Sequence, residues 1–348
     1  MGQAKERLIS IDLLRFLAIC AVVVLHCAAP LLYEYNGSGP KVWWLGNILD
    51  SISRWCVPVF VMISGAFILK PYQNQQSLTK FLKKRLTKIL LPFIFWSILF
   101  LVYKEFHTNS EINLAIGVKQ FLTGDVYYHL WFVYMIVGLY LIAPIFQIFI
   151  SKTSEKYIIY LLVLWFISSI IYPFVMEAFE MNIRFDIPAT DGFLGYFLLG
   201  YYLMNYHIKN KYRVTLYFLG IGSIFVTIFG TWYLTVVRSE GTFRGYFFDN
   251  HSPNVFFVAV ALFLLFKYMN MPFLEESPKI RNLILIASGV SFGIYMIHPI
   301  IQNTITRYIP LTEHSFVSVP LVAVMVISIS FGIIYLMQQN KITKKLVL

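Results

Sequence analysis

Charge is scarce in this chain. Only 13% of its 348 residues are Asp, Glu, Lys or Arg, about half the share of an ordinary soluble domain. Cysteine is nearly absent: Cys20, Cys27 and Cys56 all lie in apolar runs. They form neither a disulfide framework nor a CxxC pair, and core packing explains them. There is no HExxH, no Cys/His zinc spacing, no Walker loop and no GxGxxG, so no metal and no soluble-type nucleotide fold is expected. No linker, low-complexity tract, internal repeat or soluble domain is visible. Residues 1–348 read as one membrane-embedded domain.

What is present is apolar. The composition is 58% hydrophobic with a mean hydropathy of +0.69, the signature of a polytopic membrane protein. Apolar windows fall near 9–31, 44–69, 86–103, 129–150, 157–175, 193–207, 213–236, 254–269, 283–303 and 317–338. They predict an all-α integral membrane bundle of about ten transmembrane helices. A net charge of +11 would suggest a nucleic-acid partner in a soluble protein. Here the basic residues sit in short loops, and topology accounts for them. With a cytoplasmic N-terminus, 19 of the 28 lysines and arginines fall on inside segments and 7 on outside ones, leaving Arg15 and Arg54 within spans. That alternation predicts both termini in the cytoplasm.

The longest outside loops, 104–128, 176–192 and 237–253, carry Glu111, Asp125, Glu177, Glu180, Asp186, Asp191, Glu240 and Asp249, an acidic rim suited to capping a cavity. At the N-terminus, Lys5 and Arg7 precede an apolar run ending Cys27-Ala28-Ala29, which imitates a secretory signal and its cleavage site. Arg15, inside the would-be apolar region, argues against cleavage.

The first span holds the central observation. Arg15 and His26 are eleven residues apart, about 20° apart around a helix and about 16 Å apart along it. Asp12, Ile19 and Val22 share that face. An ionisable side chain within a span is costly unless it meets protein or water. The bland reading pairs Arg15 with Asp12 and lets His26 bond a neighbouring helix. Two such residues on one face favour function: His26 as a general base, Arg15 as a partner for phosphate or a developing oxyanion.

Further polar positions follow the same logic. Arg54 opens the apolar part of the second span, with Ser64-Gly65 lower down and Pro58 between. Snorkelling explains an interface arginine, close helix packing explains Ser-Gly, and Pro58 marks a kink beside a cavity. In the ninth span Ser288, Ser291, Tyr295, His298 and Gln302 recur at spacings of 3, 4, 3 and 4, a stripe that must face inward. The GxSxG match at Gly289–Gly293 lacks the strand-turn-helix setting of a nucleophile elbow, so GxxxG packing is the better reading. His129 sits among Tyr127, Tyr128 and Trp131, an aromatic belt that needs no function. The polar run Phe247–Asn254 is suited to a hydrophilic acceptor. Asn36 and Asn250 head glycosylation sequons by pattern only.

With these residues in view, the chain resembles the acyltransferase-3 family of integral membrane acyltransferases over nearly its whole length. The most specific element is Arg15-x10-His26. Arg54-x2-Val57-Pro58-x-Phe60-x3-Ser64-Gly65, Lys84-Arg85 leading to Leu91-Pro92, His129-Leu-Trp131-Phe and Ile294-Tyr295-Met-Ile-His298 support it. The resemblance implies a compact enzyme of the bacterial cytoplasmic membrane without an appended extracellular hydrolase-like domain. Its donor would be acetyl-CoA or another acyl-CoA from the cytoplasm; its acceptor, a hydroxyl of a cell-surface glycan or lipid-linked sugar. Arg15 and His26 map to the family's essential pair. Arg15, Ser64, Lys84 and Arg85 are then expected at the acyl-CoA, and Arg54, His129, Ser291, Tyr295 and His298 at the acceptor. The thioester arm would pass Arg15 along a single wet passage to His26, by direct transfer or through an acyl-histidine. A proton-coupled transporter or flippase is the rival reading, and a non-catalytic scaffold a third. Nothing in the sequence indicates an oligomeric state.

Overall fold

The computed structural model of the chain describes residues 8–33, 35, 39–71, 77–108, 113–181 and 192–347. Lys5, Arg7, Asn36, Glu111, Arg184, Asp186 and Asp191 lie outside them. The described residues form helices and turns without strands. Helix α1 covers Ile9–Ala28, α2 Pro40–Ser51, α3 Cys56–Ile68, and α4 Leu78–Thr108. Next come α5 (Leu114–Thr123), α6 (Trp131–Lys152), α7 (Glu155–Ala178) and α8 (Leu194–Asn205). The rest are α9 (Asn210–Arg238), α10 (Pro253–Tyr268), α11 (Pro272–Glu276), α12 (Pro278–Thr306) and α13 (Ser315–Gln339). Among the described residues, 9 helical stretches are long and apolar enough to cross a membrane, α2 and α3 together making one. The protein is therefore an all-α, multi-pass membrane protein.

The tenth expected window, 193–207, is α8. Its 12 residues span about 18 Å, short of the ~30 Å hydrocarbon layer. It still supplies a crossing. At one end the Tyr196 hydroxyl donates to the Asn250 carbonyl (2.7 Å), and at the other Lys267 Nζ donates to the Tyr206 carbonyl (2.7 Å). Helix α8 thus joins the same two levels as α10. It tolerates its short length because it is enclosed by protein: Gly195 through Tyr201 are all buried. A Cβ on Gly65 would lie 1.8 Å from the Phe197 carbonyl oxygen, and one on Gly200 would lie 1.9 Å from that of Met62. Two glycines therefore let α3 and α8 touch backbone to backbone. Gly65 is a packing residue.

Helices α1 and α12 lie side by side and parallel. Arg15 Nη1 donates to Ser288 Oγ (3.1 Å), and one level on Gln302 Nε2 donates to the His26 carbonyl (3.0 Å). Parallel packing requires an odd number of crossings between them, which is met only when α8 is counted. Helix α13 then returns antiparallel, its Gln338 amide reaching the Gly289 carbonyl (3.1 Å). The face at which α1, α4 and α12 begin carries Lys80, Lys83, Lys84, Lys279 and Arg281, and is called the basic face below.

The second span is broken where a kink was expected, but not by Pro58. Turns at Ile52–Trp55 separate α2 from α3, and Pro58 lies in the first turn of α3, where a missing N–H is cheapest. The freed carbonyls are capped locally: Ser53 Oγ donates to Leu49 (2.7 Å) and Trp55 Nε1 to Ile52 (2.6 Å). Unwound backbone at this depth is tolerated where it lines a cavity, and Arg54 sits in the break.

Candidate active site

Two cavities lie between α1, α3, α6 and α12. The larger, about 350 Å³, lies toward the basic face, with Arg15, Ser64, Arg85, Lys88, Tyr140, Ser288 and Ser291 among its lining residues. Phe60, Phe67 and Ile136 supply apolar wall. The smaller, about 120 Å³, lies one level further on and is lined by His26, Arg54, Cys56, His129, Trp131 and Asn250, among others. Phe132 and Tyr295 are the residues common to both linings. The expected single passage is therefore two chambers with a partition of two aromatic rings, whose centroids are 5.3 Å apart.

In the basic chamber, Arg15 is held rather than loose. Its Nη1 donates to Asp12 Oδ1 (3.2 Å) and Ser288 Oγ (3.1 Å), and Ser288 donates to Asp12 (2.8 Å). The guanidinium carbon stands 5.4 Å from the Phe67 ring centroid. Asp12 is fully buried, so the bland pairing and the functional position coexist. One α4 face adds Arg85 and Lys88. Lys84 is exposed and does not line the chamber, so the cation there beside Arg85 is Lys88. Position along α4 separates them: Lys84 and Lys88 are only about 40° apart around the helix, but Lys88 lies one turn further in, level with Ile89 on the chamber wall.

The second chamber gathers the imidazoles. His26 stacks on His298 with centroids 5.2 Å apart and planes at 24°. His129 meets His298 edge-on at 5.4 Å. His298 Nδ1 lies 2.7 Å from the Tyr295 carbonyl and 3.3 Å from that of Ile294. A carbonyl only accepts, so Nδ1 carries the proton and Nε2 is left with its lone pair. His298 Nε2 and Gln302 Oε1 are buried without a hydrogen-bond partner among the described residues. The whole α12 stripe is buried, from His298 at 0% to Tyr295 and Gln302 at 7% exposure. His129 is buried too, and its carbonyl accepts a hydrogen bond from the Tyr295 hydroxyl. No group of metal-ligating geometry occurs among the described residues.

Arg54 does not snorkel. Its Nη2 donates to Asp50 Oδ2 (2.6 Å), its Nε faces Asp50 Oδ1, and its guanidinium carbon lies 4.3 Å from the Phe248 ring centroid. Asp50 is fully buried, so a carboxylate aims the guanidinium at the chamber. The run Phe247–Asn254 divides. Asn254 bonds Thr227 and the Phe247 carbonyl, and Ser252 bonds the Asp249 carbonyl, while Asn250 lines the chamber. Of the glycines Gly289 and Gly293, the second packs: a Cβ there would sit 2.5 Å from Ile334, while Gly289 lines the basic chamber. Sequence reasoning missed Lys88, Tyr140 and Phe132 as wall residues, read Trp131 as part of an aromatic belt, and placed Asn250 only within the polar run Phe247–Asn254. The i, i+3, i+4 spacing of Arg85, Lys88 and Ile89 signalled the first.

Two chambers of this kind, one cationic and one rich in imidazole, meet known proteins along most of the chain. A family model described as an acyltransferase domain matches residues 8–337. The chain belongs to the acyltransferase-3 family. Its Arg15-x10-His26 span, both chambers and the paired helices α1 and α12 all fall within the matched region. It is 24% identical over 337 residues, 91% of its own length and 89% of the relative's, to a probable poly-beta-1,6-N-acetyl-D-glucosamine export protein of Staphylococcus aureus. A shorter match, 25% identical over 130 residues, joins 36% of the chain to 33% of the nodulation protein NolL of Mesorhizobium japonicum. Another, 27% over 137 residues, covers 37% of the chain and 18% of an amino-acid racemase of Enterococcus faecalis. No solved structure matches. The chain is a multi-pass membrane protein of that acyltransferase family.

Proposed function

We propose that the protein is an acyl-CoA-dependent O-acyltransferase of the bacterial cytoplasmic membrane, moving a short acyl group, acetyl foremost, to a hydroxyl of a cell-surface glycan or lipid-linked sugar. The observation that carries this reading is the pairing of a cationic chamber with an imidazole chamber across two shared side chains. Phosphates of a CoA-type donor suit Arg15, Arg85 and Lys88, which face the side that the lysine and arginine bias makes cytoplasmic. Ser64 and Tyr140 offer hydroxyls on the same wall. A glycan hydroxyl entering from the other face suits Asn250, Trp131, His129 and Arg54.

In this mechanism His26 takes the acceptor hydroxyl proton as the oxygen attacks the thioester carbonyl. The C–O bond forms, the C–S bond breaks, and the proton passes from the imidazolium to the leaving thiolate. Arg54, aimed by Asp50, faces the developing oxyanion. His298 supports the His26 ring by stacking, while its unpartnered Nε2 offers an acceptor to the incoming sugar; a buried atom of that kind costs about 1–3 kcal/mol while unfilled.

The relative named for polysaccharide export supports a second reading, passage of glycan through the protein. Chambers of 350 and 120 Å³ are at or below the size of a site for one small ligand, about 300–1,000 Å³. They favour chemistry on a chain end or side group over a conduit. Mass analysis of surface polysaccharide decides between them. A strain carrying His26→Ala should make polysaccharide lighter by one acyl group per modified sugar with the amount at the surface unchanged. Unmodified mass with less polysaccharide at the surface would favour export.

A further inference from the structure

We propose that Phe132 and Tyr295 form a movable septum that keeps water in the acceptor chamber away from the donor thioester until an acceptor is bound, which makes Phe132 a determinant of transfer over hydrolysis. This rests on the acyltransferase reading for its purpose, but the septum itself rests on geometry. The two rings alone are shared by the two linings. Their chemistry suits a closure. Phe132 brings no polar atom, and the Tyr295 hydroxyl is engaged by the His129 carbonyl. The Phe132 ring also meets Phe60 at 6.1 Å, so the barrier continues onto α3.

Its anchorage links the closure to the acceptor side. Tyr295 is latched by His129, and the Tyr295 ring lies 5.2 Å from that of His129. Phe132 follows Trp131, which lines the acceptor chamber and is 41% exposed. A sugar seated against Trp131 and His129 would therefore press on both attachments. Opening needs loss of one hydrogen bond and a swing of one ring, with no helix displaced.

The chemistry at stake is a partition of one thioester between two nucleophiles. With an acceptor, its oxygen bonds the acyl carbon, the C–S bond breaks, and free thiol and ester result. With water, the same carbon–sulfur bond breaks and the products are free thiol and a carboxylate, one proton being released. A closed septum suppresses only the second route, since water is present at all times.

The test reads passage and chemistry separately. In a background with Cys20, Cys27 and Cys56 replaced by Ala, Ser64→Cys places one thiol in the donor chamber. A membrane-impermeant maleimide is confined to the compartment facing the acceptor chamber of reconstituted vesicles. With Phe132 intact the thiol should stay unlabelled; with Phe132→Ala it should label on the order of tenfold faster, the effect of about 1.4 kcal/mol on the closed state. Phe132→Leu and Tyr295→Phe, which disturb packing less, should give smaller increases in the same direction. In parallel, Phe132→Ala should raise free-carboxylate release relative to acyl transfer by a similar factor. Equal labelling with and without Phe132 overturns the septum while leaving the acyltransferase reading to its own assay. Faster labelling in a protein that transfers no acyl group from any acyl-CoA keeps the septum and removes the purpose assigned to it.

Discussion

The Asp50–Arg54 pair separates what holds the fold from what does the chemistry. Asp50 is fully buried and offers both carboxylate oxygens to one guanidinium. Asp50→Ala leaves Arg54 charged and without its carboxylate, its Nη1 still donating to the Phe248 carbonyl at 3.4 Å. Removing one member of a buried pair costs about 3–5 kcal/mol, whereas replacing both by apolar groups of similar volume is about neutral or stabilising by 1–4 kcal/mol. The cation–π contact with Phe248 at 4.3 Å offsets the single loss by about 1 kcal/mol. We therefore expect Asp50→Ala to lower stability by about 2–4 kcal/mol, and Asp50→Leu with Arg54→Met to restore it. Thermal unfolding in detergent, followed by size-exclusion fluorescence, ranks the three proteins. The double variant should nevertheless lose transfer by about 10²-fold or more, the effect of removing an oxyanion donor. A stable double variant that transfers within a few-fold of the parent would show that Arg54 is only a structural ion-pair partner, and the role given to it would fall.

Other outcomes follow from the same geometry. Lys88→Ala should raise KM for acyl-CoA by about tenfold or more, from loss of a charged contact of ~1.5–3 kcal/mol, whereas Lys84→Ala should leave it within about twofold; initial-rate kinetics at fixed ionic strength checks both, and equal effects would contradict the assignment of Lys88 to the chamber. Gly200→Val should prevent close contact of α3 and α8 and abolish monodisperse protein, because the new side chain would meet the Met62 backbone; normal yield and melting would refute the crossing. His298→Phe preserves a flat ring against His26 but removes Nε2, so melting should hold while kcat/KM for the acceptor falls by about tenfold or more. Unchanged kinetics would assign His298 to packing.

Much of this arrangement was legible in the sequence, for reasons that can be stated. Arg15, His26 and the stripe from Ser288 to Gln302 announce themselves because a polar side chain within a span must turn inward, and helix periodicity fixes its face. The parallel packing of α1 on α12 fits the odd number of crossings that the sequence windows place between them. Helix α8 was placed correctly, but its short length was not foreseen. Backbone contact through Gly65 and Gly200 depends on two helices far apart in sequence.

The partition was invisible for a different reason. Phe132 and Trp131 belong to an aromatic cluster that membrane interfaces produce routinely, and only tertiary packing sets one ring between two chambers. Asn250 is likewise placed by its carbonyl's bond to Tyr196 from a remote helix. In the second span the break fell at Ile52–Trp55 rather than Pro58, because Ser53 and Trp55 satisfy the unwound carbonyls there. Lys84 and Lys88 share a face of α4 and differ by one turn along it.

The most direct measurement is single-turnover transfer with purified protein in lipid vesicles, radiolabelled acyl-CoA on the basic face and a soluble oligosaccharide on the other. Label should appear on the oligosaccharide with wild-type protein, and vanish with His26→Ala while melting temperature and donor binding stay unchanged. Full transfer by His26→Ala, or label that crosses only as intact acyl-CoA, would contradict it.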